Sequence, residues 1–253
     1  IFNIILLVFA VLTILIAGIR ATTECDIKKI IALSTLRQLG IIITRLGLNM
    51  PNLAYFHIII HALFKALLFI CAGNLIINHS HSQDLRWIGN IPNQLPTTSS
   101  CIIIANMSLC GLPYLAGFYS KDHILDSSLF YDNNFLILSL IFLAVGLTSF
   151  YRVRFILVTI WSSNIREPYT NINESWIITL PIIILSRLSV IRGSIIIWIL
   201  PIFNEITTIN LIQKILPLIF TFSGLVLGWI ISKIKVKYII KLHHISCSIW
   251  FLV

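Results

Sequence analysis

Charge is the scarcest property of this sequence. Only 11% of its 253 residues are Asp, Glu, Lys or Arg, and just nine are acidic. A soluble domain carries about 25% charged residues, so a water-soluble fold is excluded. No carboxylate falls in the middle of an apolar segment, so part of any buried acid–base pairing must come from elsewhere. The five cysteines, Cys25, Cys71, Cys101, Cys110 and Cys247, are scattered, with no CxxC and no even framework. They signal neither a metal site nor a disulfide scaffold. There is no Walker loop, no glycine-rich dinucleotide turn and no HExxH. No metal or nucleotide site is therefore expected. No cleavable leader is expected either, because the first apolar run is a full span long and lacks a cleavage motif.

Apolar residues fill the space that charge leaves. They make up 58% of the chain, and the mean hydropathy is +0.97. Seven runs are long enough to span a bilayer, at about 1–19, 29–48, 52–77, 97–123, 134–160, 175–200 and 211–232. An eighth begins near Tyr238. Backbone polar groups in lipid must be satisfied internally, so these runs are expected to be helices. The reading is an all-α, polytopic transmembrane bundle, one domain over 1–253. Both ends lie inside apolar runs, which suggests a piece of a longer protein truncated at each end.

The net charge of +9 reports orientation, not nucleic-acid binding, because the cations are unevenly placed. Arg20, Lys28, Lys29, Arg86, Arg166 and Lys233 to Lys241 fall on one side of the bundle. The other side receives chiefly Asp122, Asp126, Asp132 and Glu205, with Lys214 its one clear cation. The positive-inside rule assigns the first set to the matrix or cytoplasm. The loops on that side would be 20–29, 78–96, 161–174 and 233–241.

Lys65 is the most informative residue. It lies thirteen residues from Asn52 and from Asn78 in an otherwise apolar run. At ~1.5 Å per residue that is roughly 20 Å from either end, beyond the ~15 Å of half a bilayer core. An ionisable group at such depth marks an ion or proton path by default. His57 and His61 precede it at intervals of four and share its helix face. Burial makes a lysine's charge costly, as a group that must gain and release protons requires. Histidine titrates near neutrality unaided. The alternative is structural: the histidines cap a polar helix contact and Lys65 pairs with a carboxylate.

The fourth run carries Gly111-Leu112-Pro113 in its middle and Gly117 soon after, followed by Lys121. Proline clashes with the carbonyl four residues back, here Leu109, and lacks an N–H. A broken helix near Gly111 and Pro113 is expected, of the kind that transporters place at ion sites. An ordinary proline kink followed by an interfacial lysine is the other reading.

Several stretches also resemble a known family. Asp26-Ile27-Lys28-Lys29-Ile30-Ile31-Ala32-Leu33-Ser34-Thr35, His61-Ala62-Leu63-Phe64-Lys65-Ala66 and Gly111-Leu112-Pro113-Tyr114-Leu115-Ala116-Gly117-Phe118-Tyr119-Ser120-Lys121-Asp122 resemble, in order, motifs of the antiporter-like subunits of respiratory complex I. Gln83-Asp84-Leu85-Arg86 and Asn173-Glu174-Ser175-Trp176 fit two of that family's loops. The resemblance implies a proton-translocating membrane subunit of an NADH:ubiquinone reductase in the mitochondrial inner membrane. It implies proton transfer through Lys65, Lys121, His57 and His61, with no redox chemistry on this chain. NADH, FMN, iron–sulfur clusters and ubiquinone would be bound by the rest of the complex. Partners would be other complex I membrane subunits, the lipid bilayer and the missing N-terminal half of the same subunit. A subunit of a multi-subunit sodium/proton antiporter is the nearest alternative. A non-functional or mistranslated copy of the mitochondrial gene is another.

Five arginines, Arg37, Arg45, Arg152, Arg187 and Arg192, also lie deep inside the runs. Each costs ~2.5–3.5 kcal/mol at a helix centre even on the gentlest insertion scale. Arg37 and Arg152 stand where members of the resembled family have serine. The chain has 53 isoleucines and two methionines. Reading AGA as arginine and AUA as isoleucine, where invertebrate mitochondria read serine and methionine, produces both features.

Overall fold

The computed structural model describes residues 2–79, 81–121, 125, 135–161, 174–199 and 211–233. Among these, helices dominate and no strand forms. The long ones are α1 (Phe2–Thr23), α2 (Ile27–Gly47), α3 (Pro51–Asn78), α4 (Pro96–Cys110), α5 (Phe135–Ile156), α6 (Trp176–Ile199) and α7 (Leu211–Lys233). Leu157–Trp161 extends α5 as a π-helix. Six helical stretches are long and apolar enough to cross a bilayer. The all-α multi-pass reading is thus correct: six of the seven expected spans coincide with these helices, and the fourth, 97–123, holds α4 and a break after Cys110. The span near Tyr238 lies outside the described residues.

Proline starts two helices. Pro51 and Pro96 open α3 and α4, where a missing N–H costs nothing because the first turn has no acceptor for it. The connections are short. Three residues join α1 to α2 and three join α2 to α3, so consecutive helices pack antiparallel. The α3–α4 link is longer, and it is ordered by two 3₁₀ turns at Leu85–Trp87 and Ile91–Asn93.

Packing follows two rules. α3 is the central helix, against α2, α4 and α6, and buries Phe56, Phe64, Leu67, Cys71 and Leu75. Elsewhere small residues let helices approach closely. A Cβ on Gly40 would lie 2.5 Å from Ile14 of α1, and one on Gly224 of α7 would lie 2.2 Å from the carbonyl oxygen of Gly146 in α5. α6 and α7 turn isoleucines and leucines outward.

The basic loops meet at one end. Asp26 and Asp84 pair through their backbones, joining the α1–α2 and α3–α4 links. Arg154, near the end of α5, donates to the carbonyl of Thr22. Glu174, just before α6, accepts from Thr97 and Thr98 at the start of α4. At the opposite end the Asn3 side chain donates to Asn49 Oδ1 at 2.9 Å. The described parts of the loops expected on one side therefore share one end of the bundle. Residues 162–173 and 234–241 lie outside the described residues.

α4 ends where a break was expected, but glycine ends it. Gly111 takes the left-handed conformation, φ 83°, and its N–H bonds Ser108. That is a glycine helix stop, with proline two residues beyond because it cannot continue the helix. Tyr114 is also left-handed, φ 70°, and the chain re-enters helix at 116–121. Gly117 is required there: a Cβ would overlap the Ser108 carbonyl oxygen at 1.7 Å. On α6, a Cβ at Gly193 would lie 2.4 Å from Ala116 Cα.

A buried polar line between two lysines

All four residues expected to transfer protons are buried: His57, His61, Lys65 and Lys121 are 9% exposed or less. α3 carries the first three on one face, as their spacing requires. Lys65 points at α2. Its ammonium donates to the Ile31 carbonyl at 3.0 Å and, by a shorter bond, to Ser34 Oγ. Both partners are uncharged, and among the described residues no carboxylate pairs with Lys65. Ser34 itself donates back to Ile31 at 2.7 Å.

One turn toward the N-terminus lies His61, and its ring stacks on His57 with centroids 6.1 Å apart. Among the described residues His61 Nε2 finds no hydrogen-bond partner. His57 spans the gap between two other elements. Its Nε2 lies 3.2 Å from Gln38 Oε1 on α2, and its Nδ1 lies 3.1 Å from Ser120 Oγ beyond the break. A neutral imidazole has one donor and one acceptor. With the Gln38 oxygen as acceptor, Nε2 carries the hydrogen and Nδ1 accepts from Ser120. Protonation of Nδ1 reverses that bond, and the Ser120 hydroxyl then turns to the Gly117 carbonyl, 3.4 Å away.

Lys121 follows Ser120. Its ammonium donates to the Cys110 carbonyl at 2.9 Å and to Thr148 Oγ1 of α5 at 3.5 Å. Cys110 is the last residue of α4, so the break itself frees that carbonyl. Gly111, Pro113 and Gly117 therefore have a chemical consequence: the break they form leaves a buried acceptor, and Lys121 donates to it. Lys121 is 2% exposed and faces protein.

In order stand Lys65 with Ser34, then His61, then His57 with Gln38 and Ser120, then Lys121 with Thr148. Sequence reasoning named the four titratable members. It missed Ser34, Gln38, Ser120 and Thr148, which hydrogen-bond them. Beside Lys121 a cavity of about 20 Å³, room for roughly one water, is lined also by Arg37, Thr44 and Arg45.

Comparison with known proteins places this geometry. Residues 1–148 match the family described as NADH:quinone oxidoreductase/Mrp antiporter, transmembrane. Residues 151–253 match NADH dehydrogenase subunit 5 C-terminus. NADH-ubiquinone oxidoreductase chain 5 of Lumbricus terrestris is 48% identical over 100% of this chain and 45% of its own length. The Anopheles gambiae protein of that name is 38% identical over 98% of this chain and 44% of its own. The chain thus spans less than half the length of these relatives. The fold is like that in the structure of the Mrp complex from Dietzia sp. DQ12-45-1b, with a TM-score of 0.71 at 20% identity over 97% of this chain and 30% of that one. The chain belongs to the NADH:quinone oxidoreductase/Mrp antiporter membrane family.

Proposed function

We propose that this chain is the later half of a proton-translocating subunit of respiratory complex I in the mitochondrial inner membrane. The carrying observation is the buried line of hydrogen-bonding groups from Lys65 through His61 and His57 to Ser120 and Lys121. His57 joins Gln38 and Ser120 directly, and water would bridge the remaining steps to Lys65 and Lys121. The lysines act as stores: a charge on Lys65 disfavours one on its neighbours, so protonation alternates along the line. The chain itself holds no redox group. NADH, FMN, the iron–sulfur clusters and ubiquinone belong to other subunits. The neighbours are other membrane subunits and the earlier half of the same subunit.

An antiporter subunit of the multi-subunit sodium/proton type shares the fold. The match of residues 151–253 to the NADH dehydrogenase subunit 5 C-terminus favours complex I.

The test is NADH-driven proton uptake by the whole complex in sealed vesicles. Lys65→Ala removes the store and is expected to lower pumping by roughly 10²-fold, the lower range for a positioned proton-transfer group, while the complex still assembles. Lys65→Arg keeps the charge but cannot release it, so it is expected to fail as well. Pumping at the normal rate by the arginine variant would overturn the reading.

A further inference from the structure

The arginines of this chain fall into two groups that the structure separates sharply. Arg20 pairs with Glu24 at 3.2 Å and Arg86 with Asp84 at 3.3 Å. Arg154 donates to the Thr22 carbonyl and lies 3.6 Å from Cys25 Sγ. These three stand at the end of the bundle where the basic loops meet, with anions or free carbonyls at hand.

Arg37 and Arg152 are different. Arg37 is 0% exposed, at the midpoint of α2, ten residues from Ile27 and ten from Gly47. It donates to the Ala144 carbonyl, and among the described residues its Nε and Nη1 find no hydrogen-bond partner. Arg152, on α5, donates to Asn106 Oδ1 at 2.7 Å, and among the described residues its Nε and Nη2 find none. No ion pair engages either among the described residues. A guanidinium with five donors and a fixed charge is the group least able to tolerate this. Arg187 has the opposite orientation and the same problem. It sits eleven residues into the 24-residue α6, on an outward face shared with Ile184, Leu188, Ile191 and Ile195. Whether lipid or another apolar span covers that face, a cation there is costly.

Serine removes the difficulty at each position. Hydroxyls on these same helices satisfy themselves by donating to a carbonyl three residues back, as Ser34, Thr44, Ser149, Ser186 and Ser189 do. Small polar residues are also what close helix packing in membranes uses.

We propose that the protein made in the mitochondrion carries serine at 37, 152 and 187, while Arg20, Arg86 and Arg154 are true arginines. The chemistry is one of decoding: AGA and AGG, arginine in the common code, are read as serine in invertebrate mitochondria. The relatives named above come from invertebrates, and an excess of 53 isoleucines over two methionines is the companion sign of AUA misread. The inference does not depend on the proposed proton transport. It has one consequence for it: the cavity beside Lys121 exchanges the guanidinium at 37 for a hydroxyl, next to that of Thr44.

Peptide mass spectrometry of the subunit in complex I purified from the animal's mitochondria tests this, with the codons read in parallel. Expected are serine masses at 37, 152 and 187 with no tryptic cleavage after them, cleavage after Arg20, Arg86 and Arg154, and AGA or AGG against CGN codons for the two groups. Arginine at 37, 152 or 187 in the peptides, or a CGN codon there, would overturn it.

Discussion

Lys65 and Lys121 are both buried lysines on one polar line, yet the chain holds them by opposite means. Lys65 rides on α3, an unbroken helix of 28 residues. Such a helix uses all its own mid-span carbonyls, so it must borrow acceptors from α2. Those acceptors are already engaged, because Ser34 donates to the same Ile31 carbonyl that Lys65 uses. Lys121 follows a helix that stops. The stop releases the Cys110 carbonyl, and the lysine takes it. Each lysine thus has one backbone carbonyl and one hydroxyl as acceptors. The difference is the source of the carbonyl: that of Lys65 belongs to the interior of an intact neighbouring helix, and that of Lys121 is one that a helix end leaves unused.

Glycine substitutions break this comparison most sharply. Gly111→Ala puts a side chain into the left-handed stop of α4. The conformation costs an L-residue ~1–2 kcal/mol, and any relief moves the Cys110 carbonyl that Lys121 needs. Gly73→Ala on the unbroken α3 is the matched control, since a Cβ there meets nothing within 4 Å and alanine is favoured in a helix by ~0.5–1 kcal/mol. Expected are a lower melting temperature and impaired proton uptake for the first, and neither for the second. Equal effects from the two would show that the break does not position Lys121.

The connecting residues sharpen it next. Gln38→Leu leaves His57 Nε2 without its acceptor and frees the imidazole to change tautomer. Ser120→Ala removes the hydroxyl between His57 and Lys121 while sparing both lysines. Each is expected to slow proton uptake several-fold, about 1 kcal/mol for one neutral hydrogen bond, with the slope of rate against pH altered. Ser34→Ala is expected to act through Lys65 alone, since its hydroxyl reaches neither histidine. A change in rate with an unchanged pH profile for Ser120→Ala would reduce that residue to a packing role.

What could be seen in the sequence followed from how each group acts. Spans were legible because an apolar run of twenty residues has few other uses. Lys65, His57 and His61 were legible because depth and a four-residue spacing are one-dimensional facts. Lys121 needed the resemblance to the complex I subunits, since its spacing alone also fitted an interfacial lysine. Ser34, Gln38, Ser120 and Thr148 were not legible. Serines and threonines abound on these helices and most bond back to their own turn, so only the packing of α2 and α5 shows which of them meet a lysine or histidine. The break was found for an incomplete reason. Pro113 drew notice, but Gly111 in the left-handed stop ends the helix, a pattern that glycine followed two residues later by proline does announce.

The smallest expected effect lies at the far end of α3 from His57, where His79 follows the last turn. It is 2% exposed, and its carbonyl accepts from the backbone and side chain of Ser82. Burial pushes its imidazole down from 6.5 to about 4. The unfolded or locally opened form therefore binds a proton that the closed form refuses. Closure of the α3–α4 link is fully favoured above pH 6.5 and weakens as pH falls toward 4. Hydrogen exchange of backbone amides in residues 81–95 should accelerate over that range beyond its intrinsic pH dependence. His79→Asn, which keeps a polar side chain but cannot titrate, should remove the excess. Neither Lys65 nor Lys121 touches this link, so the two lysine variants should leave the exchange profile unchanged. A profile that is the same with and without His79 would show that another group opens the link.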